Sequence, residues 1–313
     1  MTVALISHPD CLLHDMGAHH PESPARLRAI SEQLIASRLD AVLSHYEAPA
    51  ATRAQLERVH DAGYVDSIFR AAPQHGLLAL DPDTAMNPYT LSAALHAAGA
   101  VVQAVDLVMR GEVTAVFCNV RPPGHHAERK RAMGFCFFNN VAVGAAHALA
   151  AYGVERVAIL DFDVHHGNGT EDIFGADPRV LYCSTFQHPF YPYRGTGPTQ
   201  DHIINTPLAA GAGGAEFRRV VETRWLPALT KFRPQLVMFS AGFDAHRADD
   251  LGQLSFDEAD YFWVTEQAKV IADQYAHGRI VSVLEGGYNT HALGRCVVSH
   301  VQALLGLPQV ATI

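Results

Sequence analysis

The stretch Asp161-Phe162-Asp163-Val164-His165 closes an apolar run with a polar side chain at every second position. Residues two apart share one face of a strand, so Asp161 and Asp163 point the same way while the strand continues. Carboxylates at the end of an apolar strand are costly to bury without a cation. Asp163 and His165 offer one oxygen and one nitrogen ligand. Asp244, after the apolar run LVMFS and its turn AGFD, is the best third ligand. An Asp/His/Asp set with an open position suits a catalytic metal: Zn2+, with Fe2+ or Mn2+ also fitting such ligands. The plainer alternative is that the aspartates cap helices and His165 is a satisfied core residue.

Proton-transfer groups accompany this set. Pro122-Pro123-Gly124-His125-His126 holds two imidazoles in a loop stiffened by prolines. One of them can take a proton from an activated water and pass it to a leaving amine. Asp161, not needed as a ligand, is free to hold an imidazole tautomer. Glu285-Gly286-Gly287-Tyr288 ends another apolar run, and its glycines let the chain turn and bring Tyr288 over a pocket. A phenol there can donate to a developing oxyanion. In Gly134-Phe135-Cys136-Phe137-Phe138, Phe135 is placed to line a channel, while Phe137 and Phe138 read as core. Cys136 lacks a dedicated base and is a poor nucleophile candidate.

Something must carry these loops to one place. Short β-branched runs at Val3–Ser7, Thr114–Val120, Val157–Phe162, Val180–Thr185, Leu236–Ser240 and Ile280–Leu284 read as strands. Between them, Pro24–Ser37, Leu91–Met109, Asn140–Ala151, Ala215–Lys231 and Phe256–Ala276 read as helices. This alternation predicts an α/β fold with a parallel sheet covered on both faces. The Gly-rich polar segments all follow strands, and ligands of open α/β sheets bind at carboxyl strand ends. Four such loops therefore converge on one pocket.

The 313 residues are 49% hydrophobic and 18% charged, a globular composition read as one domain over 1–313, without repeats or linkers. A net charge of −9 without a long Lys/Arg run argues against nucleic acid as a partner. Five cysteines without a CxxC give neither a disulfide framework nor a cysteine zinc site. No secretory signal and no uninterrupted apolar run of membrane-spanning length are visible, so the expectation is a cytoplasmic protein without a membrane partner. A homo-oligomer is compatible with the sequence, which leaves the oligomeric state open.

In this order, RPPGHHA, GFCFFNN, DFDVHHGNGT, SAGFDAHRADDLG and LEGGYN resemble the histone deacetylase superfamily, in the form of class II enzymes and bacterial deacetylase-like amidohydrolases. The similarity runs from His19 to about residue 300. It implies a central, mostly parallel eight-stranded sheet flanked by helices, with the active site at the C-terminal strand ends. It implies Zn2+ on Asp163, His165 and Asp244, with His126 as general base and acid and Asp161 as the partner of His125. Tyr288 corresponds to the tyrosine that polarises the scissile carbonyl. Gly134 corresponds to the glycine whose carbonyl accepts from the substrate amide, Phe135 to one tunnel wall, and Asp83 to a rim residue that holds substrate backbone. Asp161, Asp163, His165, Ser184 and Thr185 match a structural K+ site, with a second near Phe174, Asp177 and Val180. The implied substrate is an acylated lysine or other acylated amine.

Two departures stand out. Asn168 occupies a position where class I members carry Asp, which leaves His126 less basic. Phe186-Gln187 replaces an expected His-containing segment, so the second tunnel wall falls to Phe190 or Tyr191. Acetylpolyamine hydrolysis, a dinuclear ureohydrolase of the related arginase kind, and a non-catalytic acyl-lysine binder are the competing readings.

Overall fold

The computed structural model describes residues 2–309. In chain order its strands are β1 (Val3–Ser7), β2 (Ser44–Glu47), β3 (Leu78–Ala79), β4 (Ala85–Met86), β5 (Ala115–Cys118), β6 (Val157–Asp161), β7 (Val180–Gln187), β8 (Ile203–Leu208), β9 (Leu236–Ala241) and β10 (Ile280–Leu284). The α-helices are α1 (Ala25–Ala36), α2 (Arg53–Leu56), α3 (Ala62–Ala71), α4 (Thr90–Met109), α5 (Asn140–Tyr152), α6 (Asn168–Phe174), α7 (Gly214–Val220), α8 (Leu226–Phe232), α9 (Glu258–Tyr275) and α10 (Thr290–Leu305). Eight strands form one sheet in the order β2-β1-β5-β10-β9-β6-β7-β8, with every neighbouring pair parallel; β3 and β4 form a small separate hairpin.

The inner strands β5, β6, β9 and β10 are buried at every residue, as strands covered on both faces must be. That burial explains why they read as continuous apolar runs. The sequence did not reveal β2 and β8. Both are edge strands: SHYE has a single apolar-bodied residue, Tyr46, and IINTPL carries Pro207, which an edge tolerates because one side needs no ladder bond.

Helix limits follow capping chemistry. The Asn139 and Asn289 side chains accept from the N–H groups of Ala142 and Ala292, and Gly153 and Gly306 end the same two helices, α5 and α10, in the left-handed region. Asp257 and Asp260 form a capping box, so α9 starts after the expected Phe256. The expected helix 215–231 is continuous but contains a π turn, Val221–Trp225. Pro227, which has no N–H for the carbonyl four residues back, lies just beyond it and accounts for the local widening.

Among the described residues, α4 is the one helix long and apolar enough to cross a membrane by length and composition. It is the helix expected over Leu91–Met109, and His96, Gln103 and Asp106 interrupt its apolar run. Most of its span, 67%, is buried, and it packs on α5 and β5 as a core helix.

Candidate active site and metal centre

The loops after β5, β6, β9 and β10 meet at the carboxyl edge of the sheet, because those four strands are neighbours there. They line a pocket of about 250 Å³ bounded by Asp83, His126, Gly134, Phe135, His165, Phe190, Tyr191, Asp250, Leu251 and Tyr288. Phe135, Phe190, Tyr191 and Leu251 line it beside His126, His165 and Tyr288. Both candidates for the second wall, Phe190 and Tyr191, are on the lining. Phe190 stacks on His165 with ring centroids 5.6 Å apart, and Tyr191 meets His126 edge-on at 5.2 Å.

At the floor, one oxygen or nitrogen from each of Asp163, His165 and Asp244 lies within 4.8 Å of the others, and all three side chains are almost entirely out of solvent. His165 Nδ1 faces Asp163 Oδ1 at 3.0 Å and Asp244 Oδ2 at 3.2 Å. One Nδ1 hydrogen can serve only one of these oxygens, and Asp244 Oδ2 is buried with no hydrogen-bond donor. Ligands of an ion with bonds of about 2 Å lie roughly 3 Å from one another, so this spacing fits a small divalent cation. Electrostatics agree. Burial and the Asp163 charge push the Asp244 carboxyl up to about 7 against the pull of His165. Burial opposes protonation of His165, but Asp163 and Asp244 hold it up at about 10. An ion that displaces the His165 proton would relieve the mutual repulsion of the two carboxylates.

Both candidate carboxylate ligands are also fixed from behind. Asp163 Oδ2 accepts from Gly286 N–H at 2.9 Å, and Asp244 Oδ1 from Val164 N–H at 2.9 Å. Gly286 is required for this approach, since a Cβ there would strike both ligand carboxylates. Two other clusters of metal-ligating type occur among the described residues. In His8/Asp10/His96 the imidazoles are stacked 3.4 Å apart and nearly parallel, so their in-plane lone pairs do not converge on one ion. In His246/Glu258/Cys296 the carboxylate is already engaged by Arg295 at 2.6 Å. Among the described residues, neither cluster shares a side chain with Asp163, His165 or Asp244.

The tandem histidines differ in state. His125 Nδ1 donates to Asp161 Oδ2 at 3.1 Å, an oxygen that also accepts from the Tyr182 hydroxyl at 2.8 Å. Burial disfavours its charge, yet Asp163, Asp161 and Glu285 together hold His125 up at about 10. His126 lies well below the ordinary histidine value, through burial and the neighbouring His125 and His165 charges. Its Nδ1 lies 2.8 Å from Asn168 Oδ1. The Asn168 amide can turn only one way, because its nitrogen donates to Glu128 Oε1 at 2.8 Å. Nδ1 of His126 therefore carries the hydrogen, and Nε2 keeps a lone pair.

Gly134, Phe135 and Asp83 border the pocket. Gly134 (φ 56°) and Phe135 (φ 69°) are both left-handed. A Cβ on Gly134 would run into the His126 ring, and the Phe135 N–H is held by Thr84 Oγ1 at 3.0 Å. A left-handed non-glycine residue costs about 1–2 kcal/mol, a strain of the kind found at ligand clamps. Tyr288 lies across from Phe135, ring to ring at 5.9 Å. Burial keeps its phenol well above the ordinary value, and therefore protonated.

A profile described as the histone deacetylase domain matches residues 20–304. The chain belongs to the histone deacetylase family. Among family relatives, a histone deacetylase-like amidohydrolase of Pseudomonas aeruginosa is 37% identical over 297 residues, covering 93% of this chain and 78% of that protein. The polyamine deacetylase HDAC10 of Homo sapiens is 36% identical over 98% of this chain, which spans 49% of the relative. The crystal structure of the HDA15 HD domain superposes with a TM-score of 0.93 at 34% identity, covering 99% of this chain and 91% of that one. Membership makes this a deacetylase-family hydrolase with a family-type sheet.

Several further residues brace the site. The buried Asp249 accepts from the N–H groups of Tyr288 (2.6 Å) and Asn289 (2.9 Å), whereas its neighbour Asp250 is exposed at the pocket mouth. Arg26 donates to the Gly287 carbonyl at 2.6 Å and lies over the Tyr288 ring at 4.9 Å; Glu22 pairs with both Arg26 and Arg121 out of solvent. A buried carboxylate, Glu285, receives the N–H groups of Gly124 and His125. Their signal was a set of charged residues in otherwise buried segments, which sequence alone does not separate from exposed ones. At the expected cation positions, Ser184 Oγ and Thr185 Oγ1 are buried without partners beside Asp161 and its strand. Near the second, the Phe174 carbonyl already accepts from Asp177 N–H at 2.9 Å and meets His202 Nε2 at 3.1 Å.

Proposed function

We propose that this chain is a zinc-dependent hydrolase that removes acetyl or related acyl groups from N-acyl-lysine side chains or similar acylated amines. The observation that carries the reading is the joint placement, at the floor of one narrow pocket, of three converging ligand atoms, a lone pair on His126 Nε2 and the Tyr288 phenol. A divalent ion on Asp163, His165 and Asp244 supplies Lewis acidity, polarising an acyl carbonyl and making water a stronger acid. His126 Nε2 takes the proton from the attacking water, and the imidazole pair returns one to the departing amine. Tyr288 donates a hydrogen bond to the acyl oxygen as charge grows on it. Phe135, Phe190 and Tyr191 enclose the acyl-bearing chain and keep water away. The Gly134 carbonyl accepts from the substrate amide, and Asp83 holds the substrate at the rim. Asp161 holds the His125 ring in place through its Nδ1 hydrogen. We further propose a structural K+ at Asp161, Asp163, His165, Ser184 and Thr185, supported by the two partnerless buried hydroxyls.

A second reading of the substrate, an acetylpolyamine, is favoured by two carboxylates, Asp83 and Asp250, at a pocket whose lining holds no Lys or Arg. Acetyl-lysine peptides and acetylpolyamines run side by side on the zinc enzyme separate the two. The reaction itself is tested with Tyr288→Phe. No hydrogen bond of the Tyr288 hydroxyl occurs within the described chain, so the variant folds normally. It loses kcat by about 10²- to 10³-fold, the usual effect of removing one oxyanion donor. Equal turnover by variant and wild type on acyl-lysine peptides, at one zinc per chain, overturns the proposal.

A further inference from the structure

The tandem-histidine loop belongs to no helix or strand, yet both imidazoles must keep their place to within a fraction of an ångström. The prolines restrict φ but supply no N–H for anchoring. The anchor lies at the end of the neighbouring strand, β10. Glu285, the residue immediately after β10, is 0% exposed. Its Oε2 accepts from Gly124 N–H at 2.6 Å and from His125 N–H at 3.1 Å, and Ser240 in β9 meets Oε1 at 3.1 Å. Burying a carboxylate is expensive unless its oxygens are hydrogen-bonded, and these three bonds meet that need; no ion pair involving Glu285 lies among the described residues. Its main chain is fixed as well: Arg26 donates to its carbonyl, and the next residue, Gly286, donates to the ligand Asp163. One residue thus ties the His125 peptide to the turn that backs the metal ligands.

Building on the proposed hydrolase reading, we propose that Glu285 is the positioning residue of the tandem histidines, acting as a double acceptor for the Gly124 and His125 peptides. It touches no reacting atom. Its effect is on where His125 and His126 stand relative to Asp163 and the acyl carbon. The requirement is for an acceptor of this length. A glutamine meets it, with Oε1 taking the two N–H groups and its amide nitrogen donating to Ser240 Oγ. A methionine of similar length leaves both N–H groups buried and unpaired, so the loop shifts to find other partners.

The experiment compares wild type, Glu285→Gln and Glu285→Met. Amide hydrogen exchange of the peptide spanning 122–127 is followed first, on protein stripped of metal. Wild type and Glu285→Gln should protect Gly124 and His125 to a similar degree, and Glu285→Met should exchange them at least tenfold faster. With zinc restored, Glu285→Gln should keep kcat within about threefold. Glu285→Met should lose roughly 10- to 100-fold in kcat with KM little changed, because small displacements of catalytic groups act on kcat and the tunnel walls are untouched. Fast exchange of Gly124 and His125 in wild type overturns the proposal without any variant having to fold. Equal exchange and equal kcat in the methionine variant overturn it too, as does a glutamine variant as impaired as the methionine one. An absence of turnover by the wild type on every acylated amine tried removes the hydrolase reading, and the exchange comparison still decides the role of Glu285.

Discussion

Asp244→Asn makes the sharpest test of the metal centre, because the structure predicts opposite effects with and without the ion. Without metal, Asp163 and Asp244 hold ligand atoms no more than 4.8 Å apart in a buried site. Two unit charges at that distance repel by about 3.5 kcal/mol at an effective dielectric constant of about 20. Asparagine is the same size, and its carbonyl can still accept from Val164 N–H, as Asp244 Oδ1 does at 2.9 Å. Its amide nitrogen takes the place of the partnerless Oδ2. Metal-free Asp244→Asn should therefore be more stable than metal-free wild type, by roughly 2–4 kcal/mol. For a domain of this size that is about 3–6 °C in Tm. Zinc reverses the ranking, since wild type gains the binding free energy and the variant loses a ligand. The assay is thermal unfolding at pH 8 after chelation and again after titration with zinc, with metal content measured in parallel. One zinc per wild-type chain is expected. A metal-free variant no more stable than metal-free wild type, with neither responding to zinc, would refute the argument that these carboxylates are assembled around a cation.

Asn168→Leu removes the acceptor of the His126 Nδ1 hydrogen, 2.8 Å away, without adding charge beside Glu128. It should lower kcat by about 10- to 100-fold, as loss of an orienting partner usually does, and unchanged kinetics would contradict the assigned tautomer. Acid stability tests a different histidine. His300 lies among Phe117, Phe162, Phe239 and Phe243, bonded to Thr265 at 2.6 Å and Ser282 at 2.8 Å, and burial pushes it down to about 3. Below about pH 6.5 the unfolded chain takes up a proton there that the folded chain refuses, so stability falls as pH falls, by about 1.4 kcal/mol per pH unit from this group. His300→Gln cannot titrate, and urea unfolding at pH 6 and 5 should show a slope shallower by that amount. Equal slopes would refute the neutral buried state.

How legible the site was depended on where each residue's partner lay. Asp163, His165, His125 and His126 stand out because polar groups interrupt or follow apolar runs, and a strand end is where an α/β sheet places its chemistry. Phe190 and Tyr191 remained alternatives because HPFYPYRGTG has no period to tell its faces apart; both turned out to border the pocket. The edge strands β2 and β8 escaped notice because half of each side chain set faces water or a turn, which erases the apolar signal. Glu285, Asp249 and Arg26 were invisible as supports because their partners are backbone N–H and C=O groups, which every residue has. Side-chain spacing finds the residues that do chemistry, and it is silent about those that grip the main chain.

The sheet order has a consequence for how the molecule comes into being. β5, β10, β9 and β6 are neighbours in space but not in the chain, and 80 residues separate Asp244 from the Val164 peptide it receives. Every parallel pairing must close a long crossover before any contact repays it, so assembly is slow and dominated by distant partners. The cation site exists only after the strands from the middle and the end of the chain have docked. An ion cannot nucleate this fold as it does a zinc finger. It can only lock a chain that has already found its topology, and metal starvation in a cell should yield folded, inactive protein that unfolds more readily, not chains that never fold.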